Sequence, residues 1–355
     1  MKKRWIRLAV AAAVSLMLAA CGGSSNEASQ TEAVASGNSD ETKYIVFVLA
    51  GGKLGDQAEM DNTWSGIQKY VEETGAKSEY FELSEMQDFD NVVRSYCDNG
   101  ADLVITTSQV SEFVPAVAAD YPDVRFALIE GTAQADTDNV LNLRCSVSEG
   151  AFAAGAFAAL MNEELTGSKE VGFVGGVRNP NLERTQYGFA AGAKYVGGNS
   201  TSVYVGNFSD AAKAKELTTQ MFSGDTRIVQ AWAGGANTGV FEAAESMGEG
   251  YYTMGAANGQ FEMSDSIIAS SVKDIETLIY NTCVWAFGDE WKSGTLDAGL
   301  DMDAVGVKYA PDGRDAVIPQ EIKDQVEEIK QKIIAGEIVP PSTEEEMAEF
   351  EASLQ

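Results

Sequence analysis

The 355-residue sequence contains no histidine. This absence excludes catalysis by an imidazole base and metal centres with histidine ligands. Two other signatures are also missing: the G-x-S-x-G turn that presents a nucleophilic serine, and the G-x-x-x-x-G-K loop that holds phosphates. The enzymatic alternative that we consider is a hydrolase that uses paired carboxylates, and we expect no cofactor.

Cations are scarce. The chain has 25 lysines and arginines against 54 aspartates and glutamates, a net charge of −29. Such a surface repels a phosphate backbone, because both carry the same sign of charge. We therefore expect no nucleic-acid partner.

Cysteines are few and widely spaced. Besides Cys21 the chain has Cys97, Cys145 and Cys283, with no C-x-x-C pair among them. This spacing argues against a metal site. We interpret these three as small buried hydrophobic residues, and one disulfide with a thiol left over is the alternative.

The N-terminal apolar run is too short to span a membrane. Residues 1–20 have a basic start and an apolar segment from Leu8 to Leu18, whereas a spanning helix needs about 20 apolar residues. This pattern is typical of a secretory signal. The sequence LAAC at residues 18–21 resembles a lipobox, which implies cleavage before Cys21, diacylglycerol on its sulfur and a place on the extracytoplasmic face of the cell membrane. An ordinary signal peptide with a chance cysteine is the alternative.

Residues 21–42 are rich in Ser, Gly, Asn and Glu and lack hydrophobic periodicity, so we expect a flexible tether. After it, apolar strands alternate with helices of ten to fifteen residues, beginning with the apolar run Tyr44–Leu49. This alternation predicts parallel sheets built from βαβ units. The pattern occurs twice, which predicts two α/β lobes joined by a hinge.

The lobes are predicted at residues 43–145 with 260–298, and at 146–259 with 299–345. The strand 266–271 and the helix 272–288 are expected to return to the first lobe, because the second already has a full set of strands. The acidic run 344–346 is interpreted as a solvated end.

The middle of the chain, residues 144–198, is predicted as the crossing between lobes. Ser146 and Glu149 have the spacing of a capping box at a helix start. The following helix has a face of small residues, expected to pack against a sheet: Ala151, Ala154, Gly155 and Ala158. Next come a strand at 170–175, a glycine turn and a helix from about 181. In open α/β sheets, ligands bind at the loop after such a strand.

Short motifs along the chain carry a family resemblance. They include YPDVRF at 121–126, SEGAFAAG at 148–155, VGFVGG at 171–176, SVK at 271–273 and IIAGEI at 333–338. In their order and spacing the chain resembles the basic membrane protein family, substrate-binding lipoproteins that include purine nucleoside receptors. The resemblance implies a type I periplasmic-binding-protein fold, with each lobe a parallel sheet flanked by helices. It also implies capture of a solute between the lobes and delivery to the permease of an ABC importer.

The resemblance implies several ligand-binding residues. The family's D-K-S-F-N run aligns with residues 56–60, where Asp56 is kept and Glu59 stands in place of the stacking Phe. Glu112 falls near an Asp that contacts ligand, and Lys273 matches the Lys that reaches the ribose end. In the run 255–260 both family acids are absent, and Asn258 lies there instead. The expected solute is a nucleoside or a nucleoside-like molecule.

Other candidates follow from position alone. Trp232 ends a strand and could offer a flat aromatic face to a nucleobase, or it could belong to the core. Arg178 and Asn179 follow the strand 170–175, and Asn237 lies in a comparable loop. The alternative for the polar candidates is a structural or solvated surface role, which for Asp56 means stabilising a turn.

The leading hypothesis is a non-enzymatic binding protein whose lobes close on the solute. A ligand sensor feeding a membrane receptor shares the same fold. An exported nucleoside or sugar hydrolase would need two carboxylates at one cleft. For that role the sequence offers only Asp56, Glu59 and Glu112.

Overall fold

The computed structural model describes residues 42–55 and 59–354. The predicted signal, tether, lipidated Cys21 and ligand residue Asp56 lie outside the described residues and stay predictions. Among the described residues, no helix has the length and apolarity needed to cross a membrane.

Twelve strands and ten α-helices occur in the described part of the chain. The strands are β1 Tyr44–Ala50, β2 Lys77–Leu83, β3 Leu103–Thr107, β4 Arg125–Ile129, β5 Val140–Cys145, β6 Glu170–Gly175, β7 Asn199–Tyr204, β8 Ile228–Trp232, β9 Tyr252–Gly255, β10 Ile267–Lys273, β11 Gly294–Ala298 and β12 Val305–Tyr309. The helices are α1 Glu59–Thr74, α2 Phe89–Asp98, α3 Val114–Asp120, α4 Val147–Thr166, α5 Pro180–Tyr195, α6 Ala211–Phe222, α7 Asn237–Met247, α8 Ile275–Phe287, α9 Gln320–Ile334 and α10 Glu344–Ser353. Short 3-10 helices lie at Met86–Asp88, Ser108–Val110, Gly234–Ala236, Phe261–Met263, Leu300–Met302 and Arg314–Val317.

The strands form two six-stranded sheets. The first has the order β11-β5-β4-β3-β1-β2 and is parallel throughout. The second has the order β12-β10-β9-β8-β6-β7 and is parallel except for β12, which runs antiparallel to β10. Two mostly parallel sheets flanked by helices confirm the predicted fold class.

The inner strand β1 is buried on both faces of its sheet. In β1, Ile45, Phe47 and Leu49 belong to one hydrophobic cluster, while Val46 and Val48 belong to a second cluster on the opposite face. A strand covered by helices on both sides has no solvated face, so its sequence is continuously apolar instead of alternating. This is why the run after residue 43 is readable as a central parallel strand.

One strand lies in a different sheet from the one expected. The strand predicted at 266–271 to return to the first lobe is β10, which pairs with β9 and β12 in the second sheet. The helix after it, α8, does pack on the first-sheet core through Leu278 and Ile279. The chain therefore leaves the second sheet at Lys273, one element later than the pattern suggested. The count of strands could not reveal this, because β12 completes the second sheet by antiparallel pairing.

The expected capping box at the start of α4 is wrong. The Ser146 side chain accepts no hydrogen bond from the helix backbone. The Glu149 carboxylate instead accepts a hydrogen bond from Leu300 N at 3.0 Å. This contact ties the first turn of α4 to a segment 151 residues later in the chain, and tertiary pairing has replaced a local cap.

The small face of α4 meets a helix as well as a sheet. Ala151, Ala154 and Ala158 share a cluster with residues of the second sheet. Gly155 faces α5, where an added Cβ would lie 1.9 Å from the carbonyl oxygen of Phe189. Glycine is thus required for the close approach of the two helices.

Two elements near the C-terminus were not expected. Strand β11 pairs with β5 at the edge of the first sheet, although its burial is low. The acidic run 344–346 is the first turn of α10 and not merely a solvated end. The Thr343 side chain caps this helix by accepting a hydrogen bond from Glu346 N. Acidic side chains at a helix start interact favourably with its dipole.

Cys97, Cys145 and Cys283 are unpaired and buried. Burial raises the pKa of the Cys97 thiol to about 11 and that of the Cys283 thiol to about 12. The interpretation of these residues as small buried hydrophobic groups is confirmed, and the alternative of a disulfide among them is wrong.

Candidate ligand-binding site

A cavity of about 720 Å³ lies where the carboxyl ends of the two sheets face each other. Its volume falls within the usual range for sites that bind small molecules, about 300–1,000 Å³. The lining comes from the segments that follow the strands of both sheets, such as Ser108 and Gln109 after β3 and Phe208 after β7. This is the edge at which open α/β sheets bind ligands.

Four charged side chains form one cluster across this cavity. Lys273, at the end of β10 in the second sheet, contacts Glu59 Oε2 at 3.1 Å and Glu130 Oε1 at 2.8 Å with its Nζ. Glu59 begins α1 and Glu130 follows β4, so both acids come from the first-sheet side. Arg184, from α5 on the second-sheet side, places Nη2 3.5 Å from Glu130 Oε2.

Mutual attraction keeps two of these groups, Lys273 and Glu130, ionised. Burial alone would lower the pKa of Lys273, but the adjacent carboxylates of Glu59 and Glu130 outweigh it and hold that pKa above its usual value. Burial alone would raise the pKa of Glu130, and here Lys273 and Arg184 outweigh it and hold the pKa below its usual value. At neutral pH the cluster is a set of fixed, opposite charges.

Two aromatic side chains line the second-sheet side of the cavity. Trp232 is half-buried at the end of β8, and Phe208 is 47% exposed. The indole Nε1 of Trp232 is buried and makes no hydrogen bond to the described part of the chain. Flat aromatic faces of this kind pack against flat, apolar ligand surfaces.

Amide side chains hold the loops around the cavity. Asn237 is buried, and its Oδ1 accepts a hydrogen bond from Ala233 N at 2.6 Å while its Nδ2 donates to Gln260 Oε1 at 3.0 Å. Gln260 Oε1 also accepts a hydrogen bond from Ala256 N at 3.1 Å. Asn237 therefore joins the turn after β8 to the loop after β9.

Two other asparagines have defined partners. Asn179 is the N-cap of α5, since its Oδ1 accepts hydrogen bonds from Asn181 N and Leu182 N at 3.0 and 3.1 Å. Asn258 Nδ2 donates to Asn62 Oδ1 at 2.7 Å, a bond between the loop after β9 and helix α1. The first amide orients a helix start, and the second joins the two sides of the cavity.

Most of the residues singled out from the sequence meet here. The cavity is lined by Glu59, Asn179, Trp232, Asn237, Asn258 and Lys273. Glu112 and Arg178 are exposed and lie outside this lining. Arg178 is paired instead with Glu183, its Nε 2.6 Å from the carboxylate Oε1. Ligand contact by the six lining residues stays a prediction.

Sequence reasoning missed Glu130, Gln109 and Arg184. Glu130 comes directly after β4, and Gln109 is the second residue after β3, so the rule that ligands bind at the carboxyl ends of strands could have found them. Arg184 lies one turn into α5, and no local pattern marks it as facing the cavity.

A family model described as "ABC transporter substrate-binding protein PnrA-like", named Bmp, matches residues 43–344. The chain belongs to this family. The resemblance inferred from the motifs is thereby confirmed, and so is the role of an ABC transporter substrate-binding protein in place of an enzyme.

Individual relatives agree with this assignment. The chain is 27% identical to the ABC transporter nucleoside-binding protein BmpA of Lactococcus lactis, with 96% of this chain and 100% of the relative covered. It is 26% identical to basic membrane protein A of Borreliella burgdorferi over 86% of this chain and 90% of the relative. Like other members of its family, the protein is extracytoplasmic and associated with the membrane.

A solved structure shows the same fold. The solute-binding protein of an ABC transporter system from Aeropyrum pernix K1 matches with a TM-score of 0.69 and 23% identity. The match covers 87% of this chain and 98% of that one. The likeness places the chain in the periplasmic-binding-protein type of fold.

Proposed function

We propose that this protein captures a nucleoside or nucleoside-like solute, such as a purine nucleoside, in the cavity between its two sheets and passes it to the permease of an ABC importer. The observation that carries the proposal is the composition of the cavity. Trp232 and Phe208 offer aromatic faces, while amides and the Lys273 cluster offer hydrogen-bonding groups. A nucleoside is apolar on the faces of its base and polar on its edges and ribose, so it needs both kinds of group.

The Lactococcus relative supports the choice of solute class, because it is named a nucleoside-binding protein and aligns over its full length. We propose Glu59, Trp232, Asn258 and Lys273 as contacts of the bound solute. Asn179 and Asn237 are proposed to act indirectly, by holding the loops that carry the contacts. Asp56 stays a proposed contact from the sequence resemblance.

Isothermal titration of the full-length chain in detergent against a panel of nucleosides, free bases and pentoses tests the proposal. We expect at least one nucleoside to bind with a Kd in the micromolar range or below, and more tightly than its free base or its sugar. Binding by none of the nucleosides would contradict the proposal. Chromatography of the titrated solute adds a second check, since its turnover would favour a hydrolase.

We further propose that the protein is held on the extracytoplasmic face of the membrane by diacylglycerol on Cys21, with residues 22–42 as the tether. The variant Cys21→Ala removes the sulfur that would carry the lipid. We expect wild-type cells grown with radioactive palmitate to label the protein and retain it in the membrane fraction. The variant should be unlabelled, and equal palmitate labelling of both forms, or an unlabelled wild type, would contradict the anchor.

A further inference from the structure

Each cation that lines the cavity, among the described residues, already has a carboxylate partner. Lys273 has two, Glu59 and Glu130, and Arg184 has Glu130. With Glu262 the described part of the lining carries three carboxylates against two cations, an excess of one negative charge. Within residues 42–55 and 59–354 the lining therefore offers an anion no cation without a carboxylate partner.

Glu130 is held in place from several directions. Its backbone lies in the left-handed region with φ 51°, which is uncommon for a residue other than glycine, and its N–H donates to Leu143 O at 2.6 Å. Its Oε1 faces Lys273 Nζ and lies 3.4 Å from Cys145 N, while Oε2 faces Arg184. The carboxylate thus sits between the two cations with 16% of its side chain exposed.

We propose that Glu130 is a specificity-determining residue that keeps phosphorylated solutes out of the cavity by pairing with Lys273 and Arg184. This inference rests on the proposed function and refines its substrate class to uncharged, hydroxyl-bearing solutes. A phosphate binds through charge-assisted hydrogen bonds to lysine or arginine, and here the positive charge of each cation is already offset by a carboxylate within 3.5 Å, so the cavity has no net positive charge to attract it. The remaining excess negative charge would repel it further.

A neutral solute meets no such obstacle. An ammonium group has three N–H donors, and two carboxylate contacts occupy two of those on Lys273. The third can donate to a hydroxyl of a ribose without separating any ion pair. The same cluster that rejects a phosphate therefore still offers a hydrogen bond to a diol.

The test is the variant Glu130→Gln, which keeps the shape of the side chain and removes its charge. The full-length protein in detergent is titrated with the nucleoside that binds wild type, with the 5′-monophosphate of that nucleoside, and with inorganic phosphate alone. We expect wild type to prefer the nucleoside over its monophosphate by about 100-fold or more, and the variant to narrow this ratio by about tenfold or more through tighter binding of the monophosphate. A ratio equal to that of wild type would overturn the proposal.

Two further variants separate charge from structure. Glu130→Asp retains the carboxylate and should retain most of the discrimination, whereas Glu85→Gln removes an exposed acid outside the cavity and should leave the ratio unchanged. If Glu130→Gln does not fold, Glu59→Gln takes its place. It frees Lys273 of one carboxylate and should shift the ratio in the same direction by less.

Inorganic phosphate distinguishes this proposal from the proposed function. Suppose that no nucleoside binds, but that phosphate raises the Tm of Glu130→Gln and not that of wild type. This result would still support the role of Glu130 and would contradict only the proposed solute class. Equal responses of wild type and variant to phosphate would overturn the role of Glu130 whether or not a nucleoside binds.

Discussion

The α4–α5 helix pair and the loops around the cavity are neighbours, yet different interactions hold them. Between the helices, a Cβ added at Gly155 or Gly192 would lie 1.9 Å from a carbonyl oxygen of the facing helix, so backbone meets backbone. Around the cavity, contacts such as Lys273–Glu130 and Asn258–Asn62 join polar side chains from the two sheets. The first interface depends on shape and tolerates no added atom. The second interface depends on charge and hydrogen bonding, so its side chains can be exchanged for others of similar size without a steric clash.

The largest effect is expected from a substitution that overfills the interface between α4 and α5. Gly192→Ala would place a methyl group 1.9 Å from Phe152 O on α4, forcing the helices apart. We expect the free energy of unfolding to fall by about 3 kcal/mol, near the upper end for overpacking. Urea unfolding followed by circular dichroism measures it. In the control Gly224→Ala, the nearest atom to the new Cβ is 3.9 Å away, and a change within about 0.5 kcal/mol is expected. Equal losses in both variants would contradict the comparison.

The next largest effect is expected from removing Lys273 from the charge cluster of the cavity. Lys273→Gln leaves the carboxylate of Glu130 buried with one cation fewer, and we expect a loss of about 2 kcal/mol in unfolding free energy, discounted from the fully buried case for partial exposure. Adding Glu130→Gln in the same chain should restore part of the loss. Lys77→Gln is the control, because its pair with Glu79 is exposed and contributes about 0–1 kcal/mol. A loss in the double variant equal to the sum of the single losses would exclude coupling.

A third prediction compares two tryptophans, one that lines the cavity and one that does not. On the proposed function, Trp232→Leu removes an aromatic face of the cavity and should weaken nucleoside binding by about tenfold, the lower range for base–aromatic stacking. Trp64→Leu is the matched control, because Trp64 packs on Tyr80 with ring centroids 5.2 Å apart and lies outside the lining. Titration calorimetry should find its Kd unchanged. If Trp64→Leu weakened nucleoside binding and Trp232→Leu did not, the proposed stacking of the base on Trp232 would be wrong.

The smallest effect concerns pH. The folded-state pKa of Glu130 lies below its usual value, so the stability it contributes is present above the unfolded pKa of about 4.3 and is lost as pH falls through the folded pKa. The drop in unfolding free energy between pH 7 and pH 3.5 should therefore be larger in wild type than in Glu130→Gln. Identical pH dependence in both proteins would show that Glu130 gains nothing from its partners.

The sequence allowed most of the scaffold to be predicted, because local patterns report burial. The strand predicted at 170–175 is β6, and the helix expected from about 181 is α5, which begins at Pro180 with Asn179 as its cap. The prediction was weaker where long-range pairing decides. Strand β11 is largely exposed and has no apolar signature. Strand β10 lies in the second sheet between β9 and β12, and its partner residues in β12 come 32 or more residues later in the chain.

The candidate site was predicted by position better than by chemistry. Residues after strands, such as Trp232 and Lys273, do line the cavity. The resemblance placed a ligand-contacting Asp of the family near Glu112 and gave no sign of Gln109, only three residues away. A short 3-10 helix at Ser108–Val110 turns the chain there, so that Gln109 lines the cavity while Glu112 is exposed.

By itself the sequence determined the class of fold, the family and the chemistry that this protein lacks, since apolar periodicity, motif spacing and the absence of histidine are all properties of the linear chain. The tertiary structure alone decided which charges meet. Glu130 and Lys273 are 143 residues apart in the sequence and 2.8 Å apart in the cavity. No local pattern encodes that distance, because it depends on the order of strands in two sheets and on how their carboxyl ends face each other.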